Sequence, residues 1–159
     1  MREYLLCLFA AAAVTYLTMP LVRRLATRAG AMAEVRDRDV HARPTPRWGG
    51  LGMYAGMLTG LLLASKLPMM RSVFETSAAP VAILSGSLLI VLLGLADDKW
   101  RLDAPTKFAG QALAAGVMAW QGIQIVWLPI GGTLVLDPLT SIVLTVLVVV
   151  FTVNAVNFV

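Results

Sequence analysis

"TSAAPVAILSGSLLIVLLGLADD" (residues 76–98) holds no charged side chain until its last two positions, Asp97 and Asp98. About 18–20 consecutive apolar residues cross the hydrocarbon core of a bilayer as a helix. This stretch meets that length and then ends in two adjacent carboxylates. The same pattern recurs along the chain. No Asp, Glu, Lys or Arg occurs in 4–22, 48–65, 108–136 or 138–159 either. Read together, the gaps predict an all-α multi-pass membrane protein with five spanning helices, forming a single membrane domain over residues 1–159. With 58% apolar and 14% charged residues in 159, the chain lacks the polar surface that a water-soluble domain of this size needs.

Charge position sets the expected orientation. Seven basic residues, Arg23, Arg24, Arg28, Arg36, Arg38, Arg43 and Arg47, fall between the first and second gaps. Lys99, Arg101 and Lys107 fall between the third and fourth, whereas the opposite side has only Arg2, Lys66 and Arg71. By the positive-inside rule, the N-terminus is outside and residues 23–47 and 97–107 face the cytoplasm of the inner membrane. The net charge of +4 is therefore topogenic, and no nucleic-acid partner is expected. Cys7 stands alone inside the first gap, which excludes a disulfide framework and a cysteine metal site.

Local signals fill in the rest. The first helix is expected near 4–21, followed by a long basic loop to Arg47. Gly52, Gly56 and Gly60 recur every four residues and favour close helix approach. Residues 66–79 read as a short external loop and 79–96 as the third helix. The fourth starts near Pro105 with Asp103 as its cap. "QIVWLPIGGTLVLD" (Gln124–Asp137) reads as an external β-hairpin turning at Gly131 and Gly132. The fifth helix starts near Pro138.

The acid pair closes a helix that runs from outside to inside, so it sits at the negative end of the helix dipole, where an acid is disfavoured by about 0.3–1 kcal/mol. Two readings remain open at this point. Lys99 and Arg101 can neutralise a solvated helix end, or the carboxylates can bind a hard divalent cation such as Mg²⁺ with substrate phosphates. Lys107 favours the second. It falls in the first turn of the fourth helix, where the dipole is already positive and where an anion would relieve the repulsion. Gln111 follows one turn on. Asn154 and Asn157, three residues apart on the last helix, reach the same level. They either bond between helices or bind metal and substrate. His41, Arg43 and Thr45 stand in a proline-stiffened loop that ends at Gly49 and Gly50.

Three blocks, "VHARPTPRWGG" (40–50), "GLADDKWRLDAPTKFAGQ" (94–111) and "NAVNFV" (154–159), resemble in that order the polyprenyl-phosphate N-acetylhexosamine-1-phosphate transferases. The first block looks like the bacterial glycan-initiating branch that uses UDP-N-acetylglucosamine. The resemblance implies that a membrane polyprenyl phosphate attacks the β-phosphate of a UDP-sugar on the cytoplasmic face. UMP leaves and a polyprenyl-diphospho-sugar forms for cell-envelope glycans such as lipopolysaccharide or teichoic acid. It also implies Asp97 and Asp98 as catalytic acids and metal ligands, Mg²⁺ (or Mn²⁺) as cofactor, and Asn157 at the metal. Lys107, His41, Arg43, Thr45 and Asn154 would bind substrate. A homodimer is compatible with the family. Its members have roughly ten or eleven membrane helices. This chain therefore reads as an N-terminal half that is inactive alone.

Alternatives are the phospho-MurNAc-pentapeptide transferase of peptidoglycan synthesis, or a transporter or scaffold without catalysis. A transporter would need its acids near the bilayer midplane rather than at a helix end.

Overall fold

The computed structural model describes residues 1–32 and 46–157, Asn157 by its backbone alone. The described residues form six helices and a two-stranded hairpin: α1 (Arg2–Ala29), α2 (Gly49–Ala64), α3 (Pro68–Thr76), α4 (Ala79–Trp100), α5 (Ala104–Trp120), β1 (Trp127–Leu128), β2 (Leu134–Val135) and α6 (Pro138–Asn157). The chain divides into two compact units, Met1–Thr76 with Gly94–Leu102, and Ser77–Leu93 with Asp103–Val159.

Among the described residues, three helices, α1, α4 and α6, are long and apolar enough to cross a membrane. A fourth span exists if α2 and α3, bent by 101° at their junction, count as one. Three or four candidate spans among the described residues leave the five expected from the charge gaps unconfirmed. The reason lies in helix termination, which a charge gap does not register. The gap 108–136 is split because α5 stops at Trp120. Gly122 takes φ 97°, its N–H bonds Ala119 O, and the Ile123 N–H bonds Met118 O. That double bond around a left-handed glycine is a Schellman stop. α5 is thus about 26 Å long and α2 about 24 Å at 1.5 Å per residue, both short of the ~30 Å core.

The same device corrects the first helix. Instead of ending near residue 21, α1 runs on to Ala29 and stops at Gly30, φ 73°, whose N–H bonds Thr27 O while Ala31 bonds Ala26 O. Its roughly 42 Å carries Arg23, Arg24 and Arg28 on helix rather than loop. Val22, Ala26 and Ala31 are buried there. The expected external loop at 66–79 is instead largely the helix α3.

In the first unit, α1 and α2 pack through the glycine ladder. A Cβ at Gly56 would fall on Thr15 Oγ1 and 2.6 Å from Ala11 O, and one at Gly52 would meet Met19 and Thr18. Small residues let these backbones touch where lipid offers no hydrophobic drive. Past Gly30, Met32 bridges Pro46 and the Arg47 N–H bonds Ala31 O, which fixes Arg47 at the entrance to α2.

In the second unit, α4 packs on α5 through Gly86 against Met118, and Gln121 Nε2 donates to Ser85 Oγ at 2.8 Å. The hairpin pairs Trp127 with Val135 and Leu128 with Leu134, with Gly131 and Gly132 at positive φ in its turn. Asp137 caps α6: Oδ2 accepts the Thr140 N–H at 3.1 Å and Oδ1 its hydroxyl at 2.6 Å, with Pro138 at the first helical position. Ser141 and Thr145, both buried, hold Ile125 from α6 and so anchor the strand approach.

Candidate functional site

Asp97 and Asp98 lie in the last turns of α4, inside the helix and not beyond it. Both are half-buried, and Asp97 Oδ1 is shielded from solvent. Arg47 Nη1 approaches Asp98 Oδ1 at 3.8 Å. Arg47 therefore supplies a cation to the acid pair from the start of α2, a role the sequence pattern did not single out. Lys99, the basic residue of the last turn, lies over the Trp100 ring at 5.5 Å. The chain then turns sharply. Arg101 takes φ 50°, left-handed for a side-chain-bearing residue, while its N–H still bonds Asp97 O at 2.8 Å. Such a conformation costs roughly 1–2 kcal/mol, so the stop after the acid pair is enforced by the surroundings and not by a glycine.

Lys107 is in the opening turn of α5 and is half-buried. Asp103 occupies the N-cap position with extended backbone but makes no side-chain cap bond, and Pro105 follows in the first turn. The first-turn N–H groups are therefore not held by the Asp103 carboxylate. Lys107 lines a cavity of about 610 Å³ with Ala104, Phe108, Val150, Phe151 and Asn154. Apart from Lys107 and Asn154, that lining is apolar, and Phe108 and Phe151 are exposed at its edge. The cavity pairs this apolar lining with one cationic side chain, that of Lys107.

Asn154 meets the cavity and also bonds across the helix pair. Its Nδ2 donates to Gln111 Oε1 at 2.6 Å and to Val150 O at 2.8 Å. Both amide hydrogens are thereby committed, so only Oδ1 remains to accept from a ligand or face a cation. Gln111 is 6% exposed, and its position one turn after Lys107 was the sole sequence signal for it.

The structure thus brings Lys107 and Asn154 to one cavity in the second unit, and Asp97 and Asp98 to Arg47 in the first. Asn157 ends α6, and its side chain lies outside the described residues, as do His41, Arg43 and Thr45. Among the described residues, no three His, Cys, Asp or Glu side chains gather. The available donor set is two adjacent hard carboxylates, which fits Mg²⁺ held by one or two carboxylates and substrate phosphates, and does not fit a closed zinc site.

Comparison with known proteins adds the following. Residues 80–159 match the family model described as Glycosyl transferase family 4. The chain is 47% identical over its whole length to a decaprenyl-phosphate N-acetylglucosaminephosphotransferase of Mycolicibacterium smegmatis, covering 40% of that protein. It is 46% identical to the protein of the same name in Mycobacterium tuberculosis, again covering 40% of it. A probable undecaprenyl-phosphate N-acetylglucosaminyl 1-phosphate transferase of Bacillus subtilis is 32% identical over 67% of this chain and 27% of its own. The chain thus spans about two fifths of the length of its mycobacterial relatives. No solved structure matches.

Proposed function

The chain belongs to glycosyl transferase family 4, and on that premise we propose that it carries part of an enzyme transferring N-acetylglucosamine-1-phosphate from UDP-N-acetylglucosamine to a membrane polyprenyl phosphate. The relatives' names support the sugar and the lipid class, and they favour this over the peptidoglycan branch. The observation that carries the reading is the apolar cavity beside Lys107 at the start of α5. A prenyl chain would fill the groove lined by Phe108, Val150 and Phe151. Its phosphate would take the ammonium of Lys107 and the N–H groups of a helix start that lacks a side-chain cap.

The transfer forms a bond from a lipid phosphate oxygen to the sugar-bearing phosphorus and breaks the bond to UMP. Asp97 and Asp98 would hold Mg²⁺, which when bound offsets the diphosphate charge. Asp98 is kept in place by Arg47, and the half-buried pair would orient or deprotonate the lipid phosphate. Asn154 would present Oδ1 to the substrate, and Asn157 would serve the metal. By the family resemblance, His41, Arg43 and Thr45 would bind substrate. In this reading α2 and α5 act as short spans, which makes five crossings with the N-terminus outside and the acid pair on the cytoplasmic side. The acids' place in the last turns of α4 argues against a transporter, which needs them at mid-depth.

The test is Lys107→Ala in the full-length product of the reading frame that contains this chain. The KM for polyprenyl phosphate is expected to rise at least about tenfold, as befits loss of a charge-assisted bond worth ~1.5–3 kcal/mol. An unchanged KM for the lipid would overturn the assignment.

A further inference from the structure

Helix α3 has no part in that chemistry, yet its sequence is sharply two-sided. At 100° per residue, Met69, Met70, Val73 and Phe74 of "PMMRSVFET" fall on one arc, and Arg71, Ser72, Glu75 and Thr76 on the other. The polar arc is internally satisfied. Arg71 Nε donates to Glu75 Oε1 at 2.7 Å, and the Thr76 hydroxyl to Ser72 O at 2.7 Å. The apolar arc is divided. Met70 and Phe74 are half-buried, with Met70 Sδ 4.0 Å from Cys7 Sγ of α1, while Met69 is 64% and Val73 50% exposed.

The orientation of α3 follows from its own unit. It is bent by 101° from α2, which packs along the membrane-spanning α1. With α1 and α2 crossing the membrane as proposed above, a helix nearly perpendicular to α2 runs in the membrane plane. Glu3 fixes it there: its Oε2 accepts the Met69 N–H at 3.2 Å, a carboxylate at the positive end of a helix. Since Arg47 precedes α2 and α3 follows it, α3 lies at the end of the α1–α2 pair away from Arg47 and Asp98. Tyr4, Leu5 and Leu8, at the same end of α1, are also apolar and exposed. The Met69–Val73 stripe thus continues a surface that the lipid around α1 must already cover.

We propose that α3 is an in-plane interfacial helix, with Met69 and Val73 seated among the acyl chains just below the headgroups of that leaflet. Arg71 and Glu75 neutralise each other, so insertion is driven by apolar burial and not by anionic lipid. The helix seats one end of the first unit at a fixed depth, and Glu3 carries that depth to α1.

The test uses the full-length product with Cys7 and any other native cysteine replaced by Ala, in vesicles of phosphatidylethanolamine and phosphatidylglycerol. Nitroxide labels are placed singly through Met69→Cys, Val73→Cys, Ser72→Cys and Glu75→Cys. Collision with oxygen, which partitions into lipid, is compared with collision with a water-soluble nickel chelate. Labels at 69 and 73 are expected to collide several-fold more with oxygen, and labels at 72 and 75 several-fold more with nickel. Equal nickel access at all four sites would overturn the proposal in favour of a solvated helix. Protection of 69 and 73 from both reagents would overturn it in favour of cover by protein, such as a second copy of this chain.

Discussion

Asn154 on α6 donates its amide to Gln111 on α5 at 2.6 Å, so a residue expected to serve substrate also joins two helices. Gln111 is buried, and removing its partner leaves a carbonyl without a donor. Asn154→Leu is expected to lower stability by about 1 kcal/mol, since an interhelical bond in a membrane is worth roughly 0.6–2 kcal/mol. The double variant Gln111→Leu/Asn154→Leu should lose less than the sum of the two singles, because neither amide is then stranded. Unfolding in micelles across the double-mutant cycle measures the coupling, and simple additivity would contradict the pairing.

Glycine positions separate packing from mere flexibility. Gly56→Ala places a methyl on Thr15 and the Ala11 carbonyl and is expected to cost about 1–3 kcal/mol. Gly116→Ala, with nothing within 4 Å of the added carbon, is expected to be neutral or to stabilise α5 by about 0.5–1 kcal/mol. Thermal unfolding of the two variants in the same detergent checks the contrast.

Asp137 gives the α6 cap a pH dependence. The Thr140 hydroxyl and then the Thr140 N–H hold its carboxyl below the ordinary value of 3.8. A depressed native value means that the stabilisation is fully present above pH 3.8 and is lost as the pH falls through the lower native value. Exchange protection at the Thr140 amide, corrected for intrinsic rates, should therefore fall on the acid side. Asp137→Asn, which still caps but does not titrate, should flatten that response.

Much of this was legible because charge is costly in lipid. The long gaps located α1, α4 and α6, and the Gly131–Gly132 pair marked the hairpin turn. What the gaps miss is where helices stop. The Schellman end at Gly30 carried α1 past the end expected near residue 21, and a lone glycine beside apolar residues does not announce where a helix will stop. Helix α3 escaped because nine residues with a central Arg look like a loop until their two arcs are drawn. In the site, Asp97, Asp98 and Lys107 stood out because each opposes a helix dipole. Arg47 did not, since its partner Asp98 is 51 positions away and only folding brings the two together. His41, Arg43 and Thr45 rest on the sequence pattern alone.

The central claim is that the carboxylates at the end of α4 perform the transfer. Its most direct test is release of UMP from UDP-N-acetylglucosamine in membranes bearing the full-length product, with polyprenyl phosphate and Mg²⁺ supplied. Asp97→Asn and Asp98→Asn are each expected to reduce turnover at least about 10²-fold, the scale of losing a general base or metal ligand. Their membrane insertion and unfolding temperature should stay close to wild type. Turnover near wild type in either variant, with insertion intact, would contradict the account.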